Sequence, residues 1–175
     1  VTVGTDAAVE GNCRSVNGSI EVGDRSRVGG LSAVNGSIRV GEEVQIENDV
    51  ESINGPVSLD AACTVGGEVK TINGSIDLVK TSVARDVRTV NGGIHLRSQS
   101  VVKGNIVVER KGFGSSRSKS YRIELSGGSV VEGDVIVEDP KLKARVILRD
   151  GSKILGRVEN AERSEEHTSE LQSQF

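Results

Sequence analysis

The chain is nearly without aromatic residues: its 175 residues include one Tyr, two Phe and no Trp, and Met is missing altogether. A core filled by rings is therefore excluded, and the interior must be aliphatic and suited to strands. Proline is as scarce, at two residues, whereas Gly numbers 22. That excludes collagen and Pro-rich linkers and points to many tight turns. No run of about 18 apolar residues exists, so no membrane-spanning helix is expected, and without aromatic girdles the chain does not read as an outer-membrane barrel. Cysteine and histidine number two each, too few and too scattered for a structural zinc site. No metal or cofactor is expected. Charge is close to balance, 22 Lys+Arg against 25 Asp+Glu, so nucleic acid is not an expected partner.

The stretch Arg163-Ser-Glu-Glu-His-Thr-Ser-Glu-Leu-Gln-Ser173 resembles the conceptual translation of a short-read sequencing adapter over all eleven residues. Residues 163–175 are read as a non-native disordered tail and set aside. Without Arg163, Glu165, Glu166 and Glu170 the basic count falls from 22 to 21 and the acidic from 25 to 22, a net charge of −1 for residues 1–162.

What is abundant is repetition. Val16-Asn-Gly-Ser-Ile20 recurs as Val34-Asn-Gly-Ser-Ile38, Ile53-Asn-Gly-Pro-Val57, Ile72-Asn-Gly-Ser-Ile76 and Val90-Asn-Gly-Gly-Ile94, at steps of 18, 19, 19 and 18 residues. A looser pattern of four aliphatic columns runs through eight copies. The first column opens Val1, Ile20, Ile38, Val57, Ile76 and the second Val3, Val22, Val40, Leu59, Leu78; the third opens Val9, Val28, Ile46 and the fourth Cys13, Leu31, Val50. A step of two keeps both side chains on one face of a strand, and the longer steps leave room for corners. Each copy is one coil that cannot bury its apolar face alone, so the coils must stack. The expected fold is all-β: a single-stranded parallel β-helix, or β-solenoid, of about eight coils over residues 1–162. At about 4.8 Å per coil the rod is roughly 40 Å long. Left-handed hexapeptide helices repeat apolar residues every six, whereas the steps here are uneven, which favours a right-handed, three-sided helix.

The Asn-Gly pair is expected at a corner between two inward residues, Val16 and Ile20 in the first full copy, with Gly supplying positive φ. Asn17, Asn35, Asn54, Asn73 and Asn91 then fall one above another and form a hydrogen-bonded ladder. A hairpin at each Asn-Gly is the local alternative; the constancy of the interval argues against it. Between Val108 and Ile123 the period is broken by a basic insertion, 109–122. Arg110, Lys111, Arg117, Lys119, Tyr121 and Arg122 are the candidate contact residues there, suited to an anionic surface or glycan. Catalysis is not expected. Solenoid acyltransferases and carbonic anhydrases need several histidines, and His95 stands alone once the tail is removed. Polysaccharide lyases need clustered Asp, and the acids here are scattered. The column Ser15, Ala33, Ser52, Thr71, Thr89 is a poor match to the Thr files of ice-binding faces. Cys13 and Cys63 belong to coils some 12–15 Å apart, beyond disulfide reach, and are expected to be free.

The coils and the ending Ser129-Val-Val-Glu-Gly-Asp-Val-Ile-Val137 and Val146-Ile-Leu-Arg-Asp-Gly-Ser-Lys-Ile-Leu-Gly-Arg-Val158 resemble bactofilin-like polymer-forming proteins. The Val-Asn-Gly-Ser-Ile repeats resemble those of adhesin-like β-strand-repeat proteins. The resemblance implies a bacterial source, a right-handed helix without enzymatic activity, an exported location in the cell envelope with a cytoplasmic or membrane-associated one as the alternative, and self-association end to end or laterally.

Overall fold

A computed structural model of the chain describes residues 1–110 and 120–166. All regular structure there is strand, arranged in three parallel sheets of nine, eight and eight strands. Each coil contributes one strand to each sheet in turn, so every strand pairs with those one coil before and after it. The first sheet runs from Thr2–Val3 through Ile38–Val40, Ile76–Val79 and Ser120–Leu125 to Glu162–Glu166. The second holds two-residue strands, Ala8–Val9 to Lys153–Ile154, and the third runs from Cys13–Asn17, the first of five five-residue strands, to Val158–Glu159. This is the β-solenoid expected from the repeat.

The register follows the aliphatic columns. Ile38 pairs Val57, Val57 pairs Ile76 and Ile76 pairs Ile94, while Val40, Leu59, Leu78 and Leu96 run beside them. The columns are buried from end to end except at Val1, Val9 and Val158, which lie on the outermost coils. Identical neighbours above and below let branched aliphatic side chains fill a narrow bore at crystal-like density without overpacking.

Between the first and second sheets lies an inward file that the sequence reading did not single out: Ser26, Cys63, Thr81, Ser100, Ser129 and Ser152, all buried. Each hydroxyl must be satisfied there. Ser26 donates to the Gly4 carbonyl at 2.7 Å and Ser100 to the Leu78 carbonyl at 3.1 Å, and the backbone N–H groups of Ala7, Thr81, Ser100 and Ser129 donate to the hydroxyl of the coil above. Cys63 occupies the same position and donates from Sγ to the Gly41 carbonyl at 3.0 Å. Both cysteines are free and buried, as their spacing required.

Burial pushes the Cys63 thiol up to about 11. The neutral thiol is therefore the native form, and the unfolded chain ionises first. Stability is unaffected below about pH 9 and falls as pH rises from there to about 11, by on the order of 2 kcal/mol. Denaturant titrations at pH 8 and pH 10.5 should show this loss in the wild type and not in Cys63→Ser, whose hydroxyl keeps the bond to Gly41; an equal alkaline loss in both would refute it.

The corner between the second and third sheets carries a further file, one residue before the fourth column. Asp49, Asp86, Asn105 and Asp134 accept, through Oδ1, the backbone N–H of Glu68, Asn105, Asp134 and Arg157 on the next coil, each at 2.8 Å. These bonds satisfy donors that the turn would otherwise leave without partners.

The first sheet does not stop at residue 162. Glu162–Glu166 pairs with Lys143–Arg149, so the expected boundary of the solenoid falls inside a strand. Arg163 and Glu165 stand beside Val146 and Leu148, charged residues at the two inward columns. Both are exposed, and this rung adds nothing to the aliphatic bore.

Candidate functional site

The five Asn side chains form a continuous ladder. Asn35, Asn54, Asn73 and Asn91 each donate from Nδ2 to Oδ1 of the Asn one coil below, at 3.1, 2.9, 2.9 and 2.9 Å. The bonds all point the same way, so each amide polarises the next. Tyr121 closes the series, its hydroxyl donating to Asn91 Oδ1 at 3.2 Å. Burial pushes that hydroxyl's ionisation up, which keeps it a donor.

Two local expectations need correction. Val16 does not face the bore: it is 58% exposed, and its counterpart Ile53 is 41% exposed. The strand alternates from its fourth-column residue, so in Val50–Asn54 the residues Val50 and Ser52 point inward while Ile53 and Asn54 point out. The inward partners beside the corner are therefore the small residues Ala33, Ser52, Thr71 and Thr89. Ser52 and Thr71 donate to the Gly36 and Gly55 carbonyls at 3.3 and 3.1 Å.

The glycine of the pair is also required for a different reason than positive φ. Only Gly18 has it, at 138°; Gly36, Gly55, Gly74 and Gly92 do not. At those four the coils approach too closely for a side chain. A Cβ on Gly74 would lie 2.5 Å from the Gly55 carbonyl carbon and closer still to its oxygen, and Gly36 and Gly55 meet the same obstruction. Left-handed backbone is instead carried by non-glycine residues at the corner after the second column, among them Asp6, Arg25, Glu43 and Ala62.

The basic insertion is only partly in view, because Lys111, Arg117 and Lys119 lie outside the described residues. Arg110 is exposed, its backbone N–H donating to Glu138 at 2.8 Å. Arg122 is exposed and its Nε lies 3.1 Å from Glu124, which also accepts from Arg149 at 2.7 Å. Tyr121 is only 7% exposed and packs with the core. It is therefore not a surface contact as expected; its neighbours on the strand Ser120–Leu125 alternate outward and it turns in. His95 lies on the outer face of the first sheet, 4.0 Å from Glu124.

On the outer face of the third sheet, Arg88 is held by Asp86 at 2.8 Å and by Glu68 and Glu109 at 3.3 Å, with Lys70 also 3.3 Å from Glu109. The three carboxylates thus share two cations, Arg88 and Lys70. Among the described residues no group of three or more His, Cys, Asp or Glu is placed to hold a metal ion, and no helix is long and apolar enough to cross a membrane. No family model, curated protein or solved structure matches the chain.

Proposed function

We propose that the protein is a non-enzymatic β-helical scaffold of the bacterial cell envelope that associates with copies of itself. The observation that carries this reading is the sameness of the coils. Every coil presents to the one above it the same backbone groups and side-chain columns that it presents below. An edge coil of such a stack is a template for a coil of another copy. The polar side chains support the same reading, since amides, hydroxyls and corner carboxylates are spent on holding coil to coil. The envelope location and bacterial source rest on the resemblance to polymer-forming and adhesin-like repeats.

A second reading makes the protein an adhesin-like module that holds an anionic surface or glycan through residues 110–122. The exposed guanidinium groups of Arg110 and Arg122 at the two ends of that segment favour it. Replacing Arg110, Lys111, Arg117, Lys119 and Arg122 together by Gln separates the two. The scaffold reading expects sedimentation to show undiminished self-association, whatever happens to binding of anionic-lipid vesicles. A wild type that binds vesicles but never associates, with vesicle binding lost in the variant, would establish the second reading and reject the first.

A further inference from the structure

We infer that the edge of the rod carrying the Asn ladder is a lateral interface for a second copy of this chain, with the outward residues Val16, Val34, Ile53, Ile72 and Val90 packed against their counterparts and the Asn amides beside them. The inference rests on the self-associating scaffold reading and names the surface it uses.

The first observation is the outward aliphatic file itself. The four inward columns are accounted for by the bore, but these five β-branched residues lie on the solvent side of the third sheet, one per coil on consecutive coils. Nothing in the ladder requires them, because the neighbouring inward positions supply the packing.

The second is charge. The five residues from each corner, Ser15–Ser19, Ala33–Ser37, Ser52–Pro56, Thr71–Ser75 and Thr89–Gly93, contain no Asp, Glu, Lys or Arg, in a chain that is 27% charged. Stacking does not forbid charge on this rod. On the first sheet the outward file reads Glu21, Arg39, Ser58, Asp77, His95, Glu124, and on the third Arg14, Ser32, Glu51, Lys70, Arg88. The outward file of the second sheet is also uncharged over Gln45, Thr64, Ser82, Val101 and Val130, but the Asn edge alone among the described residues joins neutrality to a β-branched residue on each of five consecutive coils. A neutral edge does not suit an anionic glycan or lipid surface, and it meets a copy of itself without repulsion.

The third is period. Both faces repeat at the coil spacing of about 4.8 Å, so a two-fold axis brings every aliphatic residue opposite an equivalent one in the same register. Asn35, Asn54 and Asn73 each use one donor hydrogen and one oxygen lone pair within the ladder, leaving one of each for the partner's edge. Five coils by four residues make a face of roughly 24 by 13 Å. That is small for a specific interface, so a pair of isolated rods binds weakly, and rods joined through their ends bind by summing such contacts.

The test is sedimentation equilibrium of the full chain and of the double variant Ile53→Lys/Ile72→Lys, with Ser58→Lys on the first sheet as the charge control. Both target side chains point away from the bore, so the melting temperature should hold. The expected result is concentration-dependent association in the wild type and in Ser58→Lys, weakened at least about tenfold in the double variant. Association of equal strength in the double variant would overturn this interface while leaving a self-associating scaffold in place. A wild type that stays monomeric at every concentration would overturn both.

Discussion

Ile76→Asp is expected to lower the midpoint of thermal unfolding by about 10 °C or more, the largest loss of any single substitution considered. Ile76 is fully buried between Val57 and Ile94. Its place in the bore offers no cation, because its column neighbours are aliphatic and every buried polar residue of the described chain is Ser or Thr. A carboxylate there must either ionise without a counter-charge or take up a proton to stay neutral, at a cost of several kcal/mol. For a domain of this size each kcal/mol moves the midpoint by about 2–4 °C. Because each coil touches only its neighbours, the damage should be local first. Amide exchange should accelerate at Val57–Leu59 and Ile94–Arg97 before it does at Thr2–Val3. A midpoint within about 2 °C of wild type would mean that the first column does not face the bore.

Gly74→Ala should be nearly as damaging, by about 3 kcal/mol, although it adds one methyl group at a half-buried corner. Substituting Ala for Gly at an exposed position with ordinary φ is usually stabilising. Here the added carbon would lie 2.5 Å from the Gly55 carbonyl carbon and 2.9 Å from the Pro56 nitrogen, and backbone atoms have no rotamer by which to move aside. The coils would have to part, stretching the Asn73 to Asn54 bond beside the collision. Gly18→Ala is the informative comparison, since its Cβ would meet only Ser15 Oγ at 3.6 Å and its cost is that of a φ of 138°. Equal and small effects at both positions would show that the coils are not in close contact at this edge.

These two substitutions mark what the amino-acid order reveals and what it hides. The four columns were legible because stacking forces each position to see itself repeated above and below, so that a side chain fit for the bore must recur at the period. The Asn ladder was legible for the same reason. The direction of Val16 was not, because a β-branched residue next to a corner suits either face, and only the parity of the strand decides. Counting from Cys13, a step of two points Ser15 inward and a step of three points Val16 out. The role of Gly74 was hidden because Asn-Gly signals a turn locally, whereas the constraint acting on it is a contact with a residue 19 positions earlier.

The two polar files went unread for another reason. The corner file Asp49, Asp86, Asn105, Asp134 and the hydroxyl file Ser26, Thr81, Ser100, Ser129 are each interrupted, by Gly30 and Glu68 in one and by Val44 and Cys63 in the other. Their signal was present, one residue before the fourth column and two before the third, but small polar residues near turns are common enough to conceal it. Tyr121 misled for the opposite reason. It sits next to a basic, Gly- and Ser-rich stretch and shares its sequence context, yet the strand Ser120–Leu125 has already begun and turns the ring inward, its hydroxyl on the last Asn of the ladder.

The measurement that bears most directly on the scaffold reading is the mass of the purified chain in solution across concentration, by sedimentation, with negative-stain images of the same samples. The account predicts a mass that rises with concentration and rods longer than the roughly 40 Å of one copy, single or paired side by side. A single monomer mass at every concentration, with no particle longer than one copy, would contradict it.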